Sequence, residues 1–202
     1  MKIITIIALS ILCIGCKAQT EIIDILDRGL IPIAPNQYYR DTNYLLNSYE
    51  GTWVFSEGNK YLKFVLEKKV SHFNGIFHED IIIGGYEYKV NGVTLVNTLM
   101  DINSSYLNSI EFSLSADGFI NNDFYPICNE CDFNEKRLMM SFSETASDLR
   151  GRIFARRLNI AGQEVLKIKL QGALTIVSAG GTAPPPDDFM VPSGEYTLIK
   201  QL

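Results

Sequence analysis

Catalytic signatures are missing from this sequence. It contains no GxSxG elbow, no P-loop and no GxGxxG. The turns that expose a nucleophilic serine, or that cradle phosphates and dinucleotides, are therefore absent, and the common hydrolase and nucleotide chemistries lose their usual signal. Histidine is scarce, with only His72 and His78. "HED" at 78–80 lacks the HExxH spacing that puts two ligands on one helical face. If Asn74-Gly75 makes a two-residue turn, His72 opposes Phe77 and His78 opposes Ser71. The two rings then lie on opposite faces of a hairpin and share no metal. Basic charge is also short: 18 Lys and Arg stand against 23 Asp and Glu. That balance speaks against general nucleic-acid binding, which is driven by neutralising phosphates.

Long apolar runs occur once. Lys2 precedes an almost wholly apolar stretch from Ile3 to Gly15. It is too short for a membrane span and the right length for the core of a signal peptide. "CKAQ" follows, with Cys16 and Ala18 at the small −3 and −1 positions of a cut after Ala18. A second route competes: "IGC" ending at Cys16 is a partial lipobox with Cys13 where Leu is usual, and lipidation of Cys16 would tether the chain without a spanning helix. Both routes predict an exported protein, in the periplasm, on the outer membrane as a lipoprotein, or outside the cell. They leave the membrane in contact only through such an anchor. Loss of residues 1–18 removes Lys2 and Lys17 and no acid, which takes the net charge from −5 to −7.

The 202 residues suggest one domain. We read 1–18 as signal peptide, 19–40 as a linker containing Pro32 and Pro35, and 41–202 as the folded domain. "RDTNYLLNSYEG", 40–51, predicts a short helix capped by Asp41 or Thr42, with Tyr44, Leu45 and Tyr49 on one side and Gly51 at its end. Strands and turns follow. Around Gly58-Asn59, Glu57 faces Lys60, Phe55 pairs with Leu62 and Trp53 with Phe64. Around Asn91-Gly92, a type I′ dipeptide, Val90 pairs with Val93, Tyr88 with Leu95 and Tyr86 with Asn97. Around Asn74-Gly75, Phe73 pairs with Ile76. Further apolar faces are Ile110-Phe112-Leu114, Leu138-Met140-Phe142, Leu166-Ile168-Leu170 and Tyr196-Leu198. Nine or ten strands at this spacing with little helix predict a single antiparallel β-barrel or a related sandwich, preceded by the short helix. "GGTAPPPDDF", 180–189, carries three consecutive prolines without ladder donors and reads as a stiff surface loop.

"GTW" at 51–53, after a short helix and before an up-and-down meander, resembles the start of lipocalin-type (calycin) barrels. The stretches "LLNSYEGTWVF", "FHEDIIIGGYEYKVNGVTLVNT", "CNECDFNEKRLMMSFS" and "TAPPPDDFMVPSGEYTLIKQ" together resemble an uncharacterised family of small exported bacterial proteins, a domain of unknown function. That family resemblance implies export and a β fold and carries over no catalytic residue. The calycin resemblance implies an apolar cavity for a small ligand.

"CNEC", Cys128 to Cys131, is the one motif with chemistry in it. A CxxC is half a zinc site, a redox pair or a staple. Zinc needs two further ligands, and there is no second CxxC. Redox pairs sit at helix starts, whereas "FYPI" and "DFNEKR" read as loop and then strand. An exported compartment makes a Cys128–Cys131 disulfide the default, with the redox pair and the metal as alternatives. "RGRIFARR", 150–157, puts Arg150, Arg152 and Arg156 on one strand face and Arg157 on the other. The plain reading is a solvated outer face; the sharper one has Arg152 at a cavity mouth, holding an anionic headgroup. Trp53, Tyr86 and Tyr88 then either line an apolar interior or pack as ordinary core.

Two functions follow. One is a carrier or sensor of a small apolar or amphiphilic ligand inside the barrel. The other is a structural or interaction module with a filled core. Neither needs a cofactor or a metal, and no catalytic pairing points to an enzyme.

Overall fold

The Gly58-Asn59 hairpin has the expected register. In the computed structural model, which describes residues 20–106, 108–123, 125–144, 149–172 and 189–201, Trp53 pairs with Phe64, Phe55 with Leu62 and Glu57 with Lys60. The proposed signal peptide, Cys16 and all but Phe189 of the 180–189 stretch lie outside the described residues.

Eleven strands are described: β1 (Glu21–Asp24), β2 (Gln37–Arg40), β3 (Gly51–Glu57), β4 (Lys60–Phe73), β5 (His78–Val90), β6 (Val93–Asn97), β7 (Leu114–Ile120), β8 (Arg137–Glu144), β9 (Leu149–Ile160), β10 (Gln163–Gln171) and β11 (Gly194–Gln201). Eight of them, β3, β4, β5 and β7 to β11, close on themselves. β11 pairs with β3, β5 pairs with β7, and every neighbour in the ring is antiparallel. Closure removes the free edges that an open sheet would expose. Strand β5 makes it possible, because its second edge serves three partners in turn: β2 at His78–Glu79, β7 at Ile82–Gly84 and β6 from Glu87 to Val90. The fold is thus mainly β, a closed eight-stranded antiparallel barrel with three extra strands.

Period-two alternation fills the interior. Trp53, Leu62, Phe64, Leu66, Tyr86, Tyr88, Leu138, Met140, Phe142, Leu166 and Leu198 are all buried in one cluster. Rings touch in sequence, Phe64 edge-on to Tyr86 at 6.4 Å, Tyr86 tilted against Phe142 at 4.8 Å and Phe142 edge-on to Phe189 at 5.0 Å between centroids. Outside the wall, Ile81 and Ile83 of β5 meet Phe112 in a second, smaller cluster. β5 is therefore apolar on both faces.

Several expectations are corrected. The segment 40–51 forms no α-helix; it holds one 3-10 turn, Leu46–Tyr49. Tyr44 takes φ 55°, which breaks a helical path. The cap position is held by Leu45, not by Asp41 or Thr42; the Asp41 carboxylate reaches the turn from four residues upstream, accepting from the backbone N–H of Leu45 and Leu46 at 2.8 and 2.9 Å. Of the stretch 19–40 read as a linker, residues 20–40 are described, and they join the fold: β1 pairs in parallel with β2, and Ile23, Ile25 and Tyr39 are buried in the main core. In the second hairpin Val90 pairs with Val93, but a bulge leaves Leu95 unpaired, so Tyr88 meets Val96 and Glu87 meets Asn97. In the third, Phe73 pairs with His78 and His72 with Glu79. Its loop is four residues long because the Asn74 side-chain oxygen accepts from the N–H groups of Ile76 and Phe77. The histidines still fall on opposite faces. Ile110 belongs to a 3-10 turn, Ser109–Glu111, capped by Asn108, and β7 begins only at Leu114.

Candidate outer-wall cleft

The loop between β7 and β8 folds back over the outside of the barrel. Asn122 organises it: its amide donates to the carbonyls of Cys128 and Cys131 at 3.0 and 3.3 Å and accepts from the Cys128 N–H at 2.9 Å. Cys128 and Cys131 stand as a disulfide, with Cα atoms 5.3 Å apart. A turn bond from Cys131 N–H to Cys128 O, 3.2 Å, closes the same four residues.

Outer positions of three strands form the wall beneath. β8 supplies Arg137, β9 supplies Phe154 and Arg156, and β10 supplies Lys167 and Lys169. Arg156 grips Glu135 of the loop in a two-pronged pair, Nε to Oε1 at 2.7 Å and Nη2 to Oε2 at 2.8 Å. That geometry suits guanidinium and carboxylate better than any lysine pair. Arg156 and Lys167 are also directly opposite one another across β9 and β10. Like charges in that relation repel. The Glu130 carboxylate lies between them, 2.8 Å from Lys167 Nζ and 3.6 Å from Arg156 Nη1. Lys167 holds the Glu130 carboxyl below the usual carboxylate range, chiefly by that hydrogen bond. Arg137 is buried over the Phe154 ring, 5.9 Å from its centroid, and its loss of solvent lowers its pKa.

Between loop and wall is a cleft of about 320 Å³, lined by Ile127, Cys128, Asn129 and Glu130 above and by Arg137, Phe154, Arg156, Lys167, Lys169 and Glu195 below. Its size is at the lower end of ordinary small-ligand sites. The loop also carries Tyr125, Ile127 and Phe133 exposed to solvent.

The residues singled out from sequence separate into three places. Trp53, Tyr86 and Tyr88 come together inside the barrel, where they are 0%, 0% and 1% exposed. The Trp53 indole N–H donates to the Tyr49 carbonyl at 2.8 Å, and burial raises the pKa of both Tyr86 and Tyr88. Arg152 does not join them. It points outward from β9 into a second shallow cleft of about 240 Å³ beside Ser109, Ile110 and Met139, with Nη1 3.7 Å from Met139 Sδ. Cys128 lines the main cleft, and Cys131 is bonded to it. Arg156, Lys167, Glu130 and Glu135 were not singled out, although the basic run contains Arg156. The opposed Arg156 and Lys167 follow from a hairpin turn at Ala161-Gly162, while the two acids come from a loop with no periodicity.

No curated protein and no solved structure matches this chain. One family model matches residues 1–201, and the chain belongs to that family, the family of unknown function DUF6705.

Proposed function

We propose that this chain is an exported, non-catalytic binding module of the cell envelope: a lipocalin-like barrel whose interior is a filled scaffold and whose binding surface is the outer cleft beneath the stapled loop. One observation carries the reading. The bulkiest interior side chains, Trp53, Phe64, Tyr86, Tyr88 and Phe142, are each 0–1% exposed and pack on one another, while the cleft lies outside the wall. Small barrels are either filled by side chains or hold one ligand. Export is supported by the order of charge, apolar run and small residues at 1–18 and by the cysteine pair at disulfide distance.

The second reading, an apolar ligand inside the barrel, has the closed eight-stranded wall in its favour. It requires Trp53, Tyr86 and Tyr88 to give up their packing. Trp53 is the only tryptophan, so its fluorescence separates the two. A panel of fatty acids and related amphiphiles should leave its emission unchanged; a saturable shift would overturn the filled-scaffold reading and restore the carrier. Intact mass of the protein from native cells should lack residues 1–18, or 1–15 with acyl chains on Cys16. A retained Met1 would remove the export proposal.

A further inference from the structure

The opposed cations Arg156 and Lys167 form a seat for one carboxylate, and the chain fills that seat with its own Glu130. Three observations bear on this. First, Arg156 and Lys167 are cross-strand partners on the same outer face, an arrangement that is unfavourable until an anion bridges it. Second, the bridging anion is a loop side chain that is 60% exposed, held by Lys167 at 2.8 Å and by Arg156 only at 3.6 Å. Exposed pairs of this kind contribute little to stability, so exchange for another carboxylate is cheap. Glu135, by contrast, is locked to the Nε and Nη2 edge of Arg156, which leaves Nη1 directed at Glu130 and the Cys128 sulfur, 3.8 Å away. Third, the cleft beside the seat offers apolar surface on Phe154 and Ile127. Lys169, paired loosely with Glu195 at 3.5 Å, adds a cation next to Lys167.

We propose that the cleft binds a small organic carboxylate with an apolar body, which displaces Glu130 from Lys167 and Arg156 and lays its body against Phe154 under the lip formed by Ile127. The proposal rests on the outer-wall reading and narrows it to a ligand class. A cleft of about 320 Å³ suits a molecule of aryl-alkanoate size better than a macromolecule. A carboxylate is named because a carboxylate already occupies the seat.

The test is amide-resolved NMR of the full chain titrated with 4-phenylbutyrate and, separately, with its neutral amide. Saturable shifts are expected at Ile127–Glu130, Arg156 and Lys167–Lys169, with the amide binding about tenfold more weakly for want of one charged hydrogen bond. Lys167→Ala should weaken the acid about tenfold for the same reason. Glu130→Gln should strengthen it, because the internal competitor is gone. A merely structural Glu130 would not produce that gain. Equal binding of acid and amide in the cleft overturns the carboxylate assignment and leaves the outer-wall reading standing. Binding that is unchanged or weakened in Glu130→Gln overturns the displacement. Shifts confined to interior residues, with a change in Trp53 emission, overturn both readings. No saturable shift with either compound overturns the proposal outright.

Discussion

Lys68 Nζ lies 2.8 Å from Asp41 Oδ2, and the two side chains are only 8% and 1% exposed. Asp41 thereby joins the entry segment to the long strand β4. It already accepts from the Leu45 and Leu46 N–H groups that start the 3-10 turn, and its own N–H donates to Asp80 at 3.0 Å. Removing Asp41 would leave the Lys68 ammonium, shielded from water, with no carboxylate in place of Asp41 and with Asn47 Oδ1 at 2.7 Å and the Tyr44 ring at 5.7 Å as its remaining neighbours. Asp41→Ala should therefore destabilise the fold by roughly 3–5 kcal/mol, the usual consequence of breaking a buried pair from one side. Lys68→Met should do less harm, since Asp41 keeps its backbone donors. Urea denaturation of both variants checks the order.

Gly84 and Gly85 sit where β5 runs closest to other backbone. A Cβ at Gly85 would collide with the Thr98 carbonyl and come within 2.8 Å of Leu99 Cα. Thr98 cannot retreat freely, because its N–H donates to Tyr86 O at 2.8 Å. Gly85→Ala should destabilise by about 1–3 kcal/mol through overpacking. Gly118→Ala in β7 is the control: nothing lies within 4 Å of its Cβ position. It should be neutral or stabilising by up to about 1 kcal/mol. Thermal melts of the two variants compare them directly.

How much was readable in advance depends on the strand. β3 and β4 alternate charge with bulk around a turn dipeptide, so their register could be assigned residue by residue. β8, β10 and β11 likewise showed their inner faces. The first part of β5 could not be read this way, because "IIIGG" is buried on both sides and has no period. The strand's three successive partners on one edge come from distant parts of the chain. The entry strands were hidden for a related reason: four-residue strands, here on either side of Pro32 and Pro35, carry too little pattern. The cleft was half legible. The Ala161-Gly162 turn, with φ of 52° and 84°, puts Arg156 opposite Lys167, and a hairpin drawn there would have paired them. Glu130 and Glu135 reach them from a loop whose path is set by the Asn122 clamp, which no periodicity encodes.

Buried tyrosines make the fold sensitive to alkali. Burial pushes Tyr49 and Tyr196 up to about 12 from an ordinary value of 10.0. Below pH 10 both phenols are neutral in the folded and unfolded chains, and the full stabilisation is present. Between pH 10 and about 12 the unfolded chain releases their protons while the native one retains them, so stability falls as pH rises. Tyrosinate absorbance should therefore lag for part of the ten tyrosines and appear together with loss of circular dichroism. Tyr49→Phe should shift that alkaline transition to higher pH. A transition that stays in place would show that Tyr49 ionises without unfolding the protein.

The disulfide should matter more to the loop than to the barrel. Cys128 and Cys131 are only three residues apart in sequence, so the chain entropy removed by the bond amounts to about 2 kcal/mol at most. The loop has independent ties, the Asn122 amide clamp and the Arg156–Glu135 pair. The double variant Cys128→Ser, Cys131→Ser should therefore lower the denaturation midpoint modestly, while amide exchange accelerates between residues 122 and 135 and stays unchanged in β4 and β5. Alkylation of the wild-type chain without reductant should leave both cysteines unlabelled; ready labelling would remove the staple from the argument. Adding Asn122→Ala to the double-serine background should then speed exchange in the loop further, because the turn bond from Cys131 N–H to Cys128 O and the Arg156–Glu135 pair are left without the clamp. If exchange in the loop is already maximal in the double-serine chain, the disulfide alone holds it, and the amide clamp follows from that bond without shaping the cleft.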